Sequence, residues 1–401
     1  MKNAGIVCEY NPFHNGHKYQ IDTLRKSGAE CIICVMSGNY TQRGEPAMFD
    51  KYTRAEAAIK CGADVVLELP FPYSSLSAEQ FARAGVYILD AVGVDTLSFG
   101  SECGDTYKLS SAAKVISSAE FGERFSSLQK TVNGTTSAFF EAYEQVSGEK
   151  ADFKSNDLLG ISYIRAINEF ESQMQPFVIK RIGGGYTDTA VEGSMPSAMA
   201  IRELLNNQDV SLEELSNLVP SDAASTLVLA IERNAAPVSE GLLFPYIQSL
   251  FRLHSPDEIK QRATALCGGE CVLDDGDGIC NRTCASAMQS KSAEEFYKAL
   301  FNSRYTDTRI KRVILYSLFG VSDTFRSSLP EYTVLLGASR RGCEYLSSIR
   351  KTAKINIVTK PSDAPECVLT QLSHRADSLY TMLMPKTQRS DFFVKKSPSI
   401  I

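Results

Sequence analysis

The stretch Gly5-Ile6-Val7-Cys8-Glu9-Tyr10-Asn11-Pro12-Phe13-His14-Asn15-Gly16-His17 runs from a short apolar segment, through a tight polar loop, into a helical pattern. Read as a strand ending near Tyr10 and a helix beginning between Asn15 and Lys18, it places unsatisfied N–H groups and a positive dipole end over the loop. That is a phosphate-binding arrangement. His14 and His17, three residues apart at the start of one helix, lie on about the same side and can donate hydrogen bonds to phosphate oxygens as charge builds on them. The chain has only four histidines, and two of them fall at this junction. The chemistry expected here is attack at an α-phosphate, with His14 and His17 as catalytic residues.

Outward from this junction the first hundred residues alternate as βα units. Strands are expected at Ala4–Tyr10, Glu30–Ser37, Asp64–Leu69 and Thr96–Gly100, and helices at Gly16–Lys26, Tyr52–Lys60 and Ala78–Val92. The strands are continuous apolar runs, as in a parallel sheet covered on both faces. The fold class that follows is α/β, a Rossmann-like doubly wound parallel sheet with its ligand beyond the carboxyl ends of the strands. His14, Ser37-Gly38 and Gly100-Ser101 all fall at such ends. The long polar loop Ser37–Asp50 reads as a substrate lid. Residues 106–172 read as mostly helical, Phe177–Ile182 as a further strand broken by Gly183-Gly184-Gly185, and Ser197 to Phe319 as mostly helical. Short apolar strands return at Tyr332–Leu336 and Ile355–Val358. A division into a catalytic domain, residues 1–190, and a mostly helical domain, residues 191–401, is expected.

At 401 residues the chain is long enough for two or three domains. It has no apolar run of about 18 residues, and Met1-Lys2-Asn3 leads into a strand pattern rather than a signal peptide. A cytoplasmic protein without a membrane segment is the expectation. Of the eleven cysteines, Cys31 and Cys34 sit in an apolar run and read as core. Cys267, Cys271, Cys280 and Cys284 lack the usual spacing of a zinc ribbon or finger, and no metal site is assigned to them. Net charge is −5, but residues 301–401 carry a balance of +8 against −13 for residues 1–300. A basic C-terminal quarter suits a polyanion-docking surface.

These residues carry a family resemblance. His14-Asn15-Gly16-His17 is similar to the signature of the HIGH-motif nucleotidyltransferase superfamily. More narrowly, the chain resembles the bacterial tRNA(Met) cytidine acetate ligases. The segments that carry the resemblance are Val7–His17, Met36–Asn39 with Gln42–Pro46, Leu97–Glu102, Ser155–Tyr163, Lys180–Tyr186 and Tyr305–Arg312. The resemblance implies a ligase in which acetate attacks the α-phosphate of ATP. Acetyl adenylate and pyrophosphate form, and the N4 amine of the wobble cytidine in elongator tRNA(Met) then takes the acetyl group to give N4-acetylcytidine. It also implies ATP binding by Val7, Cys8, Glu9, Tyr10, Asn11, Pro12, Phe13, His14, Asn15, Gly16, His17, Lys18, Tyr19 and Gln20, and by Gly100, Asn156 and Arg181. Cys8 stands where an aliphatic residue is usual, and Gly183-Gly184 are richer in glycine than the pattern.

The residue chemistry fits this assignment. Acetate and ATP are both anionic, and His14, His17, Lys18 and Arg181 can neutralise them. Gly100 would let backbone approach the adenosine, and Asn156 offers amide donors at a helix start. Magnesium is expected as the ATP counter-ion, with Glu9 the nearest carboxylate. Arg309, Lys311 and Arg312 are expected to contact tRNA. Two alternatives stand beside this reading: a nucleotidyltransferase that adenylylates a small phosphorylated cofactor precursor, and a non-catalytic RNA-binding protein on a degenerate nucleotide fold.

Overall fold

A computed structural model describes residues 1–132, 134–181, 197–207, 212–270, 278–301 and 306–401. Gly183–Gly185, Tyr186, Cys271 and Tyr305, each singled out in the sequence, lie outside these residues. The chain opens with β1 (Asn3–Cys8), α1 (Asn15–Lys26), β2 (Cys31–Ser37), α2 (Lys51–Lys60), β3 (Val65–Leu69), α3 (Ala78–Ala91) and β4 (Thr96–Ser101). Four helices follow, α4 (Thr106–Ile116), α5 (Ala119–Leu128), α6 (Thr135–Ser147) and α7 (Ser155–Glu169), and lead to β5 (Gln175–Lys180). Every residue of β2 and β3 is buried, Cys31 and Cys34 included. This burial on both faces is why these strands lack polar alternation.

The helical stretch comprises α8 (Ala198–Asn207), α9 (Leu212–Leu218), α10 (Ser221–Glu232), α11 (Phe244–Leu253), α12 (Pro256–Cys267), α13 (Ile279–Gln289), α14 (Ala293–Leu300) and α15 (Asp307–Phe319). The chain then returns through β6 (Tyr332–Ala338), α16 (Arg340–Ile349), β7 (Asn356–Val358), α17 (Val368–Leu383) and β8 (Ser399–Ile400).

One mixed sheet carries the fold, in the order β5-β4-β1-β2-β3-β6-β7, with β8 alongside β6. From β5 through β3 all pairings are parallel, and β6 joins β3 antiparallel. The returning strands therefore belong to the same sheet as the N-terminal units, and the helical stretch lies between β5 and β6 in the chain. The antiparallel joint was not legible in the sequence, because β6 is apolar on both faces like its parallel neighbours.

The chain steps from β1 to β2 to β3 in one direction and then crosses back to place β4 on the other side of β1. This reversal opens a crevice beyond the carboxyl ends of β1 and β4. His14 follows one of these strands and Gly100 is the penultimate residue of the other.

Two buried cations hold the strand ends in place. Arg54 is fully buried; its guanidinium donates to the carbonyls of Phe49 (2.9 Å), Glu9 (2.5 Å), Ser37 (3.1 Å) and Gly38. It satisfies backbone acceptors left over where β1 and β2 stop. Lys51 donates to Glu68 (2.8 Å) and to Asp377 of α17 (2.7 Å), and the same Asp377 accepts from Asn39 (2.9 Å).

Candidate active site

His14 is the N-cap of α1. Its Nδ1 accepts the Gly16 N–H at 3.0 Å, and its own N–H donates to Nδ1 of His17 at 3.2 Å. A capping box thus forms with imidazoles in place of the usual hydroxyl and carboxylate. The rings stack, with centroids 3.7 Å apart, over buried Phe13 and against Tyr10. Gly16 is required by this stack: a Cβ there would lie 2.9 Å from Cε1 of His14.

The capping bonds fix the tautomers. A neutral imidazole has one donor and one acceptor nitrogen. Because Nδ1 of each ring accepts from backbone, the proton of each sits on Nε2. Burial, reinforced by the Arg181 and Arg202 charges, holds the His14 pKa down to about 3; burial, His14 and Arg181 lower that of His17. Both rings are therefore neutral donors at neutral pH, and both line the cleft between β1 and β4.

Across the cleft, Arg181 packs over Gly100, where a Cβ would lie 3.3 Å from Cγ of the arginine. Asn156 donates to Glu102 at 2.6 Å, and the same carboxylate accepts the Asp157 N–H at 3.1 Å. Gln20 donates to Ser98 Oγ at 3.1 Å, tying α1 to β4. Val7, Cys8, Glu9, Tyr10, Asn11, His14, His17, Gln20, Gly100, Asn156 and Arg181 all line the same cleft.

The remaining expected residues serve it differently. Pro12, Phe13, Asn15 and Gly16 shape the loop behind the imidazoles. Lys18, expected on a phosphate, is instead paired with Asp22 one turn along α1, and Tyr19 is on the exposed face. The i,i+4 ion pair turns that lysine along the helix rather than toward the loop. Arg202, near the start of α8, was not anticipated. It lines the cleft and donates to the Asn11 carbonyl at 2.8 Å. Its only sequence signal was an arginine in the first turns of a helix, which usually faces solvent.

The loop Ser37–Asp50 is not the free lid expected from its polarity. It is largely buried, and its tip forms part of the cleft through Thr41, Gln42, Arg43 and Glu45. Gln42 N–H donates to Glu9 Oε1 at 2.7 Å, and Arg312 donates to the Gln42 carbonyl at 3.3 Å. Gly44 (φ +79°) sits so close to α15 that a Cβ would lie 2.6 Å from the Arg312 nitrogen. Lys311 bridges Glu45 (2.6 Å) and Glu240 (2.5 Å), with its side chain only 15% exposed. Lys311 and Arg312, expected to meet tRNA, are thus engaged with the loop. The sequence showed a basic cluster on a helix but not the two glutamates, 266 and 71 positions away, that meet it. Arg309, two residues earlier, is half-buried.

Glu9 has its pKa raised by burial, against the Gln42 hydrogen bond and nearby arginines. Among the described residues no three His, Cys, Asp or Glu side chains gather to hold a metal, and no helix is long and apolar enough to cross a membrane.

The HIGH Nucleotidyl Transferase family matches residues 1–393. The tRNA(Met) cytidine acetate ligase of Syntrophotalea carbinolica is 34% identical over 98% of both chains, and that of Caldicellulosiruptor bescii 36% identical over 90% of this chain and 87% of its own. Among solved structures, Thermotoga maritima TmcAL in its apo form superposes with a TM-score of 0.89 at 33% identity, covering all of both chains. The same protein bound with alpha-thio ATP superposes with a TM-score of 0.86 at 32% identity, covering 100% of this chain and 99% of that one. With a HIGH-type imidazole pair at the β1–α1 junction and likeness to these proteins along its whole length, the chain belongs to the HIGH nucleotidyl transferases, among the tRNA(Met) cytidine acetate ligases.

Proposed function

We propose that this protein activates acetate with ATP and transfers the acetyl group to N4 of the wobble cytidine of elongator tRNA(Met). The observation that carries the reading is the pair of neutral imidazoles, both with Nδ1 occupied by backbone and both on the crevice at the sheet's reversal point. In the first step a carboxylate oxygen of acetate bonds to the α-phosphorus and the bond to the bridging oxygen of pyrophosphate breaks. Negative charge grows on the phosphoryl oxygens, where the Nε2–H donors of His14 and His17 are suited to meet it. Arg181 and Arg202 supply the positive charge that the imidazoles, being neutral, do not. In the second step the cytidine amine attacks the acyl carbon, AMP leaves, and the amine loses a proton.

Gly100, Asn156, Arg181 and those residues of Val7–Gln20 that line the cleft are assigned to ATP. Magnesium would accompany the nucleotide as its counter-ion. A magnesium ion needs only one or two protein carboxylates when phosphates complete its sphere, and Glu9, directly after β1 and lining the cleft, would be the one to hold it. The magnesium ion neutralises phosphate charge when bound.

The test is incubation of the purified protein with unmodified elongator tRNA(Met), ATP, magnesium and isotopically labelled acetate, followed by mass spectrometry of the nucleosides. ATP-dependent label in N4-acetylcytidine that disappears in His17→Ala is expected. No label, with pyrophosphate released on adding small phosphorylated acceptors, would replace this reading with adenylylation of a cofactor precursor.

A further inference from the structure

The cleft opens at the carboxyl edge of the parallel strands, so the RNA segment that brings an acceptor amine to it must lie on the loops of that edge. Much of the basic C-terminal quarter sits elsewhere. Because β6 runs antiparallel, Ala338 pairs with Val65 at the start of β3. Arg340, Arg341, Arg350, Lys351 and Lys354 therefore follow from the opposite edge. Tyr345 donates to the Val92 carbonyl (2.5 Å) and Lys354 N–H to that of Ala91 (2.8 Å), at the far end of α3.

On the cleft's own edge, the loop after β4, the turn before α7 and the end of β5 meet. The N–H groups of Cys103 (3.1 Å) and Lys154 (3.0 Å) share the Asp157 carboxylate, and a Cβ on Gly104 would lie 2.7 Å from Cβ of Lys180. Tyr107 stands here at 84% exposure, with no hydrogen bond or ring contact to a described residue. Lys154 and Lys180 are exposed and form no ion pair with a described residue. Lys108 reaches Asp152 at 3.3 Å and lies 5.5 Å from the Phe153 ring.

Beside the buried Asp157, the described carboxylates Glu102, Asp105 and Asp152 lie on the face, and each is engaged. Glu102 caps α7, Asp105 caps α4 through the Lys108 N–H (3.0 Å), and Asp152 pairs with Lys108. What the face offers outward is an aromatic ring and two ammonium groups that form no ion pair with a described residue, next to Arg181 at the cleft. Proteins recognise unpaired RNA by stacking bases on aromatic rings while cations follow the phosphates.

We infer that Tyr107, Lys108, Lys154 and Lys180 form the docking face for the single-stranded RNA around the acceptor cytidine. Tyr107 stacks on a neighbouring unpaired base, and the lysines meet the flanking phosphates. The inference rests on the tRNA reading above and adds the surface that delivers the base.

The experiment is fluorescence anisotropy of a labelled stem-loop RNA, with an unmodified cytidine in its loop, titrated with the full-length protein in a non-hydrolysable ATP analogue. Tyr107→Ala is expected to weaken binding about tenfold, the loss of one stack, and Tyr107→Phe to bind like the wild type. Lys154→Ala with Lys180→Ala is expected to flatten the slope of log affinity against log salt by about 1.4, two single-strand phosphates. Arg340→Ala with Arg341→Ala is expected to bind like the wild type. Calorimetric titration of the ATP analogue into each variant reports an intact cleft. Stem-loop binding that survives both the Tyr107→Ala and the double-lysine substitutions, or is lost in the Arg340 and Arg341 variant instead, overturns the assignment of this face. A wild-type protein that binds no stem-loop at any salt removes the tRNA reading together with it.

Discussion

Replacing Lys311 with methionine removes the cation shared by Glu45 and Glu240 while keeping most of the side-chain volume. The ammonium lies 2.6 and 2.5 Å from the two carboxylates, so their oxygens are held within about 5 Å of one another. At an effective dielectric constant of about 20, two unit charges at that separation repel by about 3 kcal/mol. The three side chains are 15–25% exposed, so solvent screening reduces the cost to about 2 kcal/mol. Glu45 is at the tip of the loop that lines the cleft, and its displacement should withdraw Gln42 from Glu9. The expected result is a rise in the ATP dissociation constant of up to about 30-fold, measured by calorimetric titration with an ATP analogue, together with a lower unfolding temperature. Burial and the Glu45 charge already raise the Glu240 pKa, with Lys311 opposing them. Without the lysine one carboxylate should take up a proton readily, so the defect should shrink as pH falls from 8 to 6. Adding Glu45→Gln should restore part of the loss. A Lys311→Met protein with unchanged ATP affinity and unchanged melting at pH 8 would refute the view that α15 holds the loop.

Three further outcomes are expected. His14→Ala or His17→Ala should each slow acetate-dependent pyrophosphate release by about 100-fold, measured with saturating ATP, while RNA affinity stays near that of the wild type; full activity in either variant would displace the imidazoles from the mechanism. Because the His14 pKa is lowered from 6.5 to about 3, the unfolded state binds the extra proton first on acidification, so stability is complete above pH 6.5 and falls below it. At pH 5 this one group should cost about 2 kcal/mol, seen as a steeper acid-side loss in denaturant melts of wild type than of His14→Asn. Gly16→Ala should push the His14 ring off its cap and reduce ATP affinity about tenfold or more, and a variant that binds ATP normally would show that the stack can shift without consequence.

Much of the βα frame could be read from the sequence, because strands buried on both faces leave continuous apolar runs and their helices leave a 3.6-residue pattern. Asn3–Cys8, Cys31–Ser37, Val65–Leu69 and Thr96–Ser101 lie within two residues of expectation at either end. The imidazole pair was legible for the same local reason: both residues sit in one turn. What was hidden depends on distant partners. Lys51 and Arg54 look like solvent-facing residues of α2, yet their acceptors come from Glu68, Asp377 and the ends of β1 and β2. The loop 37–50 is polar because it is held by buried hydrogen bonds rather than because it moves. Arg202 reaches the cleft from α8, and no spacing in the sequence links it to Asn11, 191 positions earlier.

The place of β6 has a consequence for how the protein is made. Until residues 332–338 emerge, β3 is left without the neighbour that occupies its outer edge, and Asp377 has not yet arrived to complete the charge cluster around Lys51. A nascent chain therefore carries every cleft-lining residue described here well before the scaffold that supports them is whole. Synthesis of residues 332–400 closes the sheet, so the support behind the cleft is tied to their emergence. A truncated product keeps an unpaired apolar edge, the feature that marks a chain for pairing with its neighbours or for removal.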